Sequence, residues 1–286
     1  MKGIDQTLLE KVIIERSRAS HKGDYGRLLL LGGTYPYGGA IIMAALAAVK
    51  SGAGLVTVGT DRENITALHS HLPEAMAFSL QDQQLLKEQL EKAEVVFLGP
   101  GLGDDAFGEN LVKQVFVNLS QNQILIVDGG ALTILARTSL SFPSNQLILT
   151  PHQKEWEKLS GIAIEKQNEY ETASALTSFL QGTILVEKGQ ATRIWQVDQS
   201  DYYQLQVGGP YQATGGMGDT LAGMIAGFAG QFRQASLYER LTVATHLHSA
   251  IAQELAQEQY VVLPTEIGHE IPKMMKKYLK IGCART

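Results

Sequence analysis

Cysteine is nearly absent from this chain, since Cys283 is the one cysteine among its 286 residues. A single thiol excludes an internal disulfide and a zinc site built from cysteines. Apolar runs long enough to cross a bilayer are also lacking, so the sequence predicts no membrane-spanning helix and no membrane partner. Because the N-terminus has no apolar stretch with a small-residue cleavage site, we expect a cytoplasmic protein.

Positive charge is scarce as well. The 24 Lys and Arg are outnumbered by 29 Asp and Glu, giving a net charge of −5, whereas nucleic-acid binders usually carry a basic face. We therefore expect no nucleic-acid partner. No linker-like composition and no fixed-period repeat divides the chain, so we expect a single domain over residues 1–286. Glycine, by contrast, is abundant: it contributes 29 residues, above the usual share of about 7%.

Short apolar runs typical of buried strands alternate with stretches of helical periodicity. The predicted strands span residues 27–31, 55–59, 95–98, 124–127, 146–149 and 184–187. The predicted helices span residues 40–51, 83–92, 109–119, 131–137, 165–180, 221–229, 237–256 and 266–279, and residues 192–207 alternate as an antiparallel hairpin does. This order predicts an α/β fold with a central, mostly parallel sheet covered by helices on both faces.

Most of the glycine clusters directly follow predicted strands, at Gly32-Gly33, Gly99–Gly103, Gly129-Gly130 and Gly189, while Gly208-Gly209 closes the hairpin. In open α/β sheets, ligands bind outside the carboxyl ends of the strands. We therefore expect these clusters to line one ligand-binding edge of the sheet.

The most informative motif is Gly215-Gly-Met-Gly-Asp219, which precedes an apolar helix. Glycines allow the backbone N–H groups to approach a ligand closely, and a helix N-terminus attracts anions. Two roles for Asp219 remain open from the residues alone. It either caps the helix or acts as a base that takes a proton from an attacking hydroxyl during phosphoryl transfer.

At this point the sequence resembles a known family. The stretch 213–223 resembles the anion-hole and aspartate motif of the ribokinase-like superfamily. The segments 21–40 (His-Lys-Gly-Asp-Tyr-Gly-Arg, then Gly-Gly-Thr-Tyr-Pro-Tyr-Gly-Gly-Ala), 99–103, 127–132 and 149–155 (Leu-Thr-Pro-His-Gln-Lys-Glu) are similar, in order and spacing, to the ADP/ATP-dependent NAD(P)H-hydrate dehydratases. The similarity extends from about residue 8 to about residue 256.

The resemblance implies a ribokinase-like three-layer α/β/α fold and a metabolite-repair reaction. Water adds to the nicotinamide ring of NADH or NADPH and gives the hydrates NADHX and NADPHX. Family members phosphorylate the C6 hydroxyl of the S epimer with ADP or ATP, and loss of phosphate restores the double bond. The bacterial type converts ADP to AMP and phosphate. Mg²⁺ is expected to arrive with the nucleotide, the protein to be a homotetramer, and a separate epimerase to be its functional partner, because we find no room for an epimerase domain here.

The resemblance also assigns roles residue by residue. Asp219 would activate the C6 hydroxyl, and the N–H groups of Gly216, Met217 and Gly218 would hold the transferring phosphoryl group. Matches to hydrate contacts are Ala40, Gly103, His152 and Asp219; matches to nucleotide contacts are Lys188, Gly189, Gln190, Ala191, Thr192 and Gly218. Asp128 would lie near the phosphates and Mg²⁺, with Glu155 as a further candidate. Many relatives have Asp-Ala-Asp where this chain has Asp128-Gly129-Gly130, which leaves one carboxylate fewer for a metal.

Two other functions remain as alternatives. A vitamin-precursor kinase of the same fold, of the hydroxyethylthiazole type, would share Asp219 and the anion hole but stop at the phosphorylated product. A non-catalytic nucleotide sensor would need neither. The intact aspartate favours an enzyme over a sensor, and the Pro151-His152 pair and the segment 21–26 favour the dehydratase over the kinase. His246 and His248, two residues apart on a predicted helix, face different directions and are not expected to form a paired site.

Overall fold

The computed structural model describes residues 1–138, 140–143 and 146–283. The strands are β1 (Arg27–Leu31), β2 (Leu55–Thr60), β3 (Met76–Ser79), β4 (Val95–Leu98), β5 (Ile124–Val127), β6 (Gln146–Leu149), β7 (Ile184–Glu187), β8 (Arg193–Gln196) and β9 (Tyr203–Gln204). The helices are α1 (Gln6–Val12), α2 (Gly38–Lys50), α3 (Arg62–His71), α4 (Gln83–Lys92), α5 (Ala106–Asn118), α6 (Gly129–Arg137), α7 (Gln153–Ser160), α8 (Glu169–Leu176), α9 (Met217–Gly230), α10 (Leu237–Leu255) and α11 (Pro264–Cys283). Single 3₁₀ turns occupy Lys22–Tyr25, Ile164–Lys166 and Pro210–Gln212.

The strands form one sheet in the order β3-β2-β1-β4-β5-β6-β7-β8-β9. Strands β1 to β7 pair in parallel, and β8 and β9 add antiparallel to the β7 side. Strands β2 and β4 lie on opposite sides of β1. The order in which strands are added to the sheet therefore reverses at the boundary between β1 and β4. Ligands bind at such a topological switch point in open α/β sheets. This sheet confirms the predicted α/β class.

Side chains of each strand alternate between two separate apolar layers. On β1, Leu28 and Leu30 pack into the layer that contains α2, α9 and α10, whereas Leu29 and Leu31 pack into the layer that contains α5 and α6. All four leucines are at most 2% exposed. Successive residues of a strand point to opposite faces, so a strand buried on both sides needs a continuous apolar run. This is the run that the sequence showed.

Helices α2 and α9 pack closely in one of these layers. A Cβ on Gly223 would collide with the backbone of Ala44, and one on Gly227 would lie 2.6 Å from Cβ of Ser51. The small residues therefore bring the two helices into near backbone contact. As a consequence the N-termini of α2 and α9, which carry Ala40 and Gly216, lie close together.

Several predicted boundaries were correct and some elements were missed. Five of the six predicted strands have the predicted limits, the 55–59 strand extends by one residue, and the hairpin is present as β8 and β9. The prediction of a single helix over residues 165–180 was wrong. It is a 3₁₀ turn followed by α8, because the Asn168 side chain accepts a hydrogen bond from the Glu171 N–H and starts a new helix. Among the described residues, no helix is long and apolar enough to cross a membrane.

Candidate active site

The glycine turns that follow β1 and β4 lie side by side at the switch point of the sheet. The N–H of Gly33 donates to the Pro100 carbonyl at 2.8 Å, and the N–H of Gly103 donates to Oγ1 of Thr34 at 2.7 Å. Ala40, in the first turn of α2, lies next to Gly101. The structure thus brings Ala40 and Gly103, the two small residues matched to hydrate contacts, to one place.

The glycine turn before α9 forms an N-terminus with free N–H groups. Gly216 is the N-cap with a φ of 91°, a conformation that side chains rarely adopt, and a Cβ there would collide with the Met43 side chain. The first hydrogen bond within α9 runs from the Thr220 N–H to the Gly216 carbonyl. Within the part of the chain that the structure describes, the N–H groups of Met217 and Gly218 precede this bond and have no acceptor inside the helix, so they can bind an anion. The N–H of Asp219 donates to its own carboxylate.

Asp219 is the third residue of α9, and Gly216 occupies the capping position instead. Burial, together with the nearby carboxylate of Asp128, raises the pKa of Asp219 to about 7, although Lys188 acts in the opposite direction. A carboxyl group with a pKa near neutral is suited to accept a proton at physiological pH. The helix-cap interpretation is wrong for this residue.

Lys188 and Asp128 form a buried ion pair beside this turn. Nζ of Lys188 lies 2.8 Å from Oδ1 of Asp128, and the two side chains are 17% and 4% exposed. Burial alone would lower the pKa of Lys188, but the carboxylates of Asp128 and Glu155 outweigh burial and raise it. A Cβ on Gly218 would lie 3.1 Å from Nζ of Lys188. The ammonium group therefore lies directly beside the free N–H groups of α9.

His152 and Glu155 form a capping box at the start of α7. Nδ1 of His152 accepts from the N–H groups of Lys154 and Glu155 at 3.1 and 3.2 Å, and Glu155 accepts from the His152 N–H at 2.9 Å. Because Nδ1 is an acceptor, the neutral ring carries its proton on Nε2. Burial and the charge of Lys188 lower the pKa of His152, so the side chain offers a neutral N–H donor.

A cavity of about 830 Å³ opens between this turn and the hairpin. It brings together seven of the sequence-predicted site residues, namely His152, Lys188, Gly189, Gln190, Thr192, Met217 and Gly218. Asp219 and Gly216 are chain neighbours of lining residues, and Asp128 contacts the cavity through Lys188. Ala40, Gly103 and Ala191 are not part of the cavity wall. The first two lie at the switch point, on the α2 side of Gly216.

Other residues of the cavity wall were missed from the sequence. They are Val207, Gly208, Gly209, Pro210, Gln212, Ala213, Leu221, His248 and Ser249. The Gly208-Gly209 pair is one of the glycine clusters of the sequence. His248 is not predicted as a site residue, because His246 on the same helix faces a different direction and cannot pair with it. No local signal identifies it, since only the packing of α10 on α9 brings it to the cavity.

The Asp128-Gly129-Gly130 turn leaves no space for a carboxylate at its third position. A Cβ on Gly130 would collide with the backbone carbonyl of Leu102, so with this backbone only glycine fits. Among the described residues, no group of three or more His, Cys, Asp or Glu side chains could hold a metal ion by itself.

The sheet order, the N-terminus of α9 and the aspartate in its first turn define a ribokinase-like protein. Comparison with known proteins agrees: a ribokinase-like superfamily protein of Enterococcus faecalis superposes with a TM-score of 0.92 at 41% identity, over 97% of this chain and 96% of that one. Residues 28–273 match the NAD(P)H-hydrate dehydratase family, and this chain belongs to that family.

Individual relatives support the same assignment. The chain is 88% identical to an ADP-dependent (S)-NAD(P)H-hydrate dehydratase of Streptococcus pneumoniae over 276 residues, which cover 96% of this chain and 95% of the relative. It is also similar to an ADP/ATP-dependent NAD(P)H-hydrate dehydratase of Bacillus subtilis that was co-crystallized with ATP/Mg²⁺. That structure has a TM-score of 0.82 at 28% identity and covers 96% of this chain and 97% of its own.

Proposed function

We propose that this chain catalyses the ADP-dependent dehydration of the S epimer of NADHX and NADPHX, which regenerates NADH and NADPH. One observation carries the proposal: the raised-pKa carboxyl of Asp219 lies in the first turn of a helix whose free N–H groups adjoin Lys188. A base, an anion site and a cation next to a large cavity are the parts that phosphoryl transfer to a hydroxyl requires. The family and the 88% identical relative agree with this chemistry.

The reaction begins with phosphoryl transfer. Asp219 accepts the proton of the C6 hydroxyl while the hydroxyl oxygen attacks the β-phosphorus of ADP, and AMP leaves. The N–H groups of Gly216, Met217 and Gly218 and the ammonium of Lys188 stabilise the negative charge that develops on the phosphoryl oxygens. Each of these groups is fixed before the ligand arrives, so little reorganisation accompanies the reaction.

Elimination follows on the same ligand. The C6–O bond breaks with electron donation from the ring nitrogen, and phosphate leaves with the C6 oxygen. Loss of a proton from C5, which the departing phosphate can accept, restores the C5–C6 double bond. Ala40 and Gly103 would allow close approach of the ring at the switch point, and Nε2–H of His152 would donate to the hydrate. Lys188, Gly189, Gln190, Ala191, Thr192 and Gly218 would contact the nucleotide.

A magnesium ion delivered with the nucleotide fits this site. The carboxyls of Asp128, Glu155 and Asp219 lie around the ammonium of Lys188, and burial raises the pKa of both Glu155 and Asp219 to about 7. A cation bound beside these carboxyls would favour their ionised forms. Mg²⁺ usually binds through substrate phosphates and one or two carboxylates and keeps several waters. Asp128 and Glu155 would hold it, and the ion would neutralise charge on the phosphates.

The wider organisation belongs to the same proposal. We propose a single catalytic domain, a homotetramer, and a location in the cytoplasm, where NAD(P)H and adenine nucleotides are available. A separate epimerase would supply the S epimer. Exposed apolar side chains on the loop before α11, Tyr260 and Leu263, support contacts between subunits, because such clusters often mark interfaces.

Absorbance at 340 nm tests the activity. Purified protein, Mg²⁺ and chemically prepared NADPHX should give an increase in absorbance that requires ADP or ATP and that names the preferred donor. The Asp219→Asn variant should bind the hydrate but give no increase. No increase with either nucleotide would overturn the proposal, and phosphorylation of a small alcohol such as hydroxyethylthiazole would then favour the kinase alternative.

A further inference from the structure

His248 is a buried polar residue in the wall of the cavity with an unsatisfied ring nitrogen. The side chain belongs to α10, is 2% exposed and lines the cavity together with Lys188 and Gly218. Its Nε2 has no hydrogen-bond partner within the described part of the chain. A buried polar atom without a partner destabilises the folded protein. Because the side chain that carries this nitrogen lines the cavity, a ligand bound there is the partner that the described residues do not supply.

From this geometry we propose that His248 binds the nucleoside part of the nucleotide by accepting a hydrogen bond at its Nε2. The other ring nitrogen donates to the Met217 backbone, so Nε2 is the acceptor of the neutral ring. The inference rests on the proposed function, since it requires that this cavity holds ADP. Nothing in the family resemblance assigns a role to this residue. The anion site next to it already has its own donors, the N–H groups at the start of α9 and the ammonium of Lys188.

The charge state of His248 favours an uncharged partner. Burial and the neighbouring Lys188 lower the pKa of His248 to about 4, although a hydrogen bond to the Met217 backbone acts in the opposite direction. The ring is therefore neutral at physiological pH. An imidazole nitrogen that accepts a hydrogen bond suits the amino group of a base or a ribose hydroxyl, both of which donate, better than it suits a phosphate.

The surroundings of His248 agree with a nucleoside. Val207, Ala213 and Leu221 add apolar surface to the same cavity, and Ser249 adds a hydroxyl. Ligand sites for bases and ribose combine apolar walls with a few placed polar groups. His248 would be one of these polar groups, and the base would lie between the hairpin and α10.

A neighbouring histidine provides a matched control. His246 is on the same helix, burial lowers its pKa, and its Nδ1 also has no partner among the described residues. His246 is not part of the cavity wall. His246→Leu removes a buried unsatisfied nitrogen, so it should not lower the melting temperature of the ligand-free protein. His248→Leu also removes the hydrogen bond to the Met217 backbone, so its melting temperature should fall by no more than the loss of that one bond allows.

Calorimetric titration of the full chain with ADP and with inorganic pyrophosphate tests the proposal. His248→Leu should weaken ADP binding about 3- to 10-fold, leave pyrophosphate binding unchanged and lower the ligand-free melting temperature by no more than the loss of one hydrogen bond. His246→Leu should bind both ligands as the wild type does, and His248→Gln, whose amide oxygen keeps a hydrogen-bond acceptor, should recover most of the ADP affinity.

Four results would overturn the inference. Unchanged ADP binding by His248→Leu would show that the ring nitrogen has no role in binding, while the proposed function would stand if the wild type binds ADP. Equal weakening of ADP and pyrophosphate would place the effect at the anion site. A lower melting temperature together with equal losses of ADP affinity in both leucine variants would indicate a structural role only. Failure of the wild type to bind ADP would overturn the proposed function as well.

Discussion

Replacing Asp219 by asparagine removes a carboxyl group that the folded protein holds in an unfavourable place. The pKa of this carboxyl rises from an ordinary 3.8 to about 7, mainly because of burial. At about 1.4 kcal/mol for each pKa unit, the ionised group destabilises the folded state by up to about 4 kcal/mol. Because the carboxyl keeps some contact with solvent, we expect a gain of about 2–4 kcal/mol for Asp219→Asn at alkaline pH.

The gain should depend on pH in one direction. Below about pH 4 the carboxyl is protonated in both the folded and the unfolded state, so the penalty is absent. It grows as the pH rises from about 4 to 7, where only the unfolded state ionises freely, and stays complete above that range. Asp219→Asn should therefore exceed the wild type in stability by only about 1 kcal/mol near pH 4.5 and by the full amount near pH 8.5.

Urea denaturation of both proteins at about pH 4.5 and about pH 8.5, without nucleotide or magnesium, measures this difference. Asp105→Asn is the control, because Asp105 is an exposed N-cap of α5 and asparagine caps a helix about as well. Equal stability of Asp219→Asn and wild type at the higher pH would refute the reasoning. A gain of the same size at both pH values would refute it too, since it would not come from ionisation.

Three further predictions follow from the same site. Gly218→Ala places a Cβ 3.1 Å from Nζ of Lys188 and should reduce kcat/KM about 10-fold or more with little effect on the melting temperature. The control is Gly215→Ala, whose Cβ meets no atom within 4 Å and which should leave kcat/KM unchanged. Equal kcat/KM values for the two variants would contradict this prediction. His152→Ala should lose about 1 kcal/mol of stability because the helix cap is lost, and its KM for the hydrate should rise. His152→Asn should restore the stability measured by urea titration but not the KM. Full recovery of KM in His152→Asn would mean that His152 does not contact the hydrate. Asp128→Asn removes the hydrogen-bonded partner of Lys188 but leaves the carboxyls of Glu155 and Asp219 nearby, so it should destabilise by about 1–3 kcal/mol. Adding Lys188→Met should recover part of that loss in a double-mutant cycle. Additive losses would mean that the two charges do not interact.

The sequence predicts strands that are buried on both faces better than elements at the edges. The β1 strand, Arg27–Leu31, is an unbroken apolar run after its first residue, and such a run is typical of a strand that is buried on both faces. Strand β3 was missed because it is the edge strand of the sheet, it is four residues long, and its first residue, Met76, is 48% exposed. Little apolar periodicity remains in so short a segment.

Some residues of the site can likewise be predicted from the sequence and others cannot. Gly216, Gly218 and Asp219 are adjacent in sequence, so the motif contained most of the geometry of the α9 N-terminus. The ion pair of Lys188 with Asp128 joins residues sixty positions apart, and the unsatisfied nitrogen of His248 depends on how α10 packs on α9. Pairings between distant elements are set by tertiary packing, which a single sequence does not encode locally.

The central claim is that the C6 oxygen of the hydrate leaves as part of phosphate. NADPHX prepared in ¹⁸O-labelled water carries the label on its C6 hydroxyl, and the phosphate released during ADP-dependent turnover can be analysed by mass spectrometry. The account predicts one ¹⁸O atom in each phosphate formed. Unlabelled phosphate, with the label recovered in water, would mean that the nucleotide is hydrolysed separately and that Asp219 does not act by phosphorylating the hydroxyl.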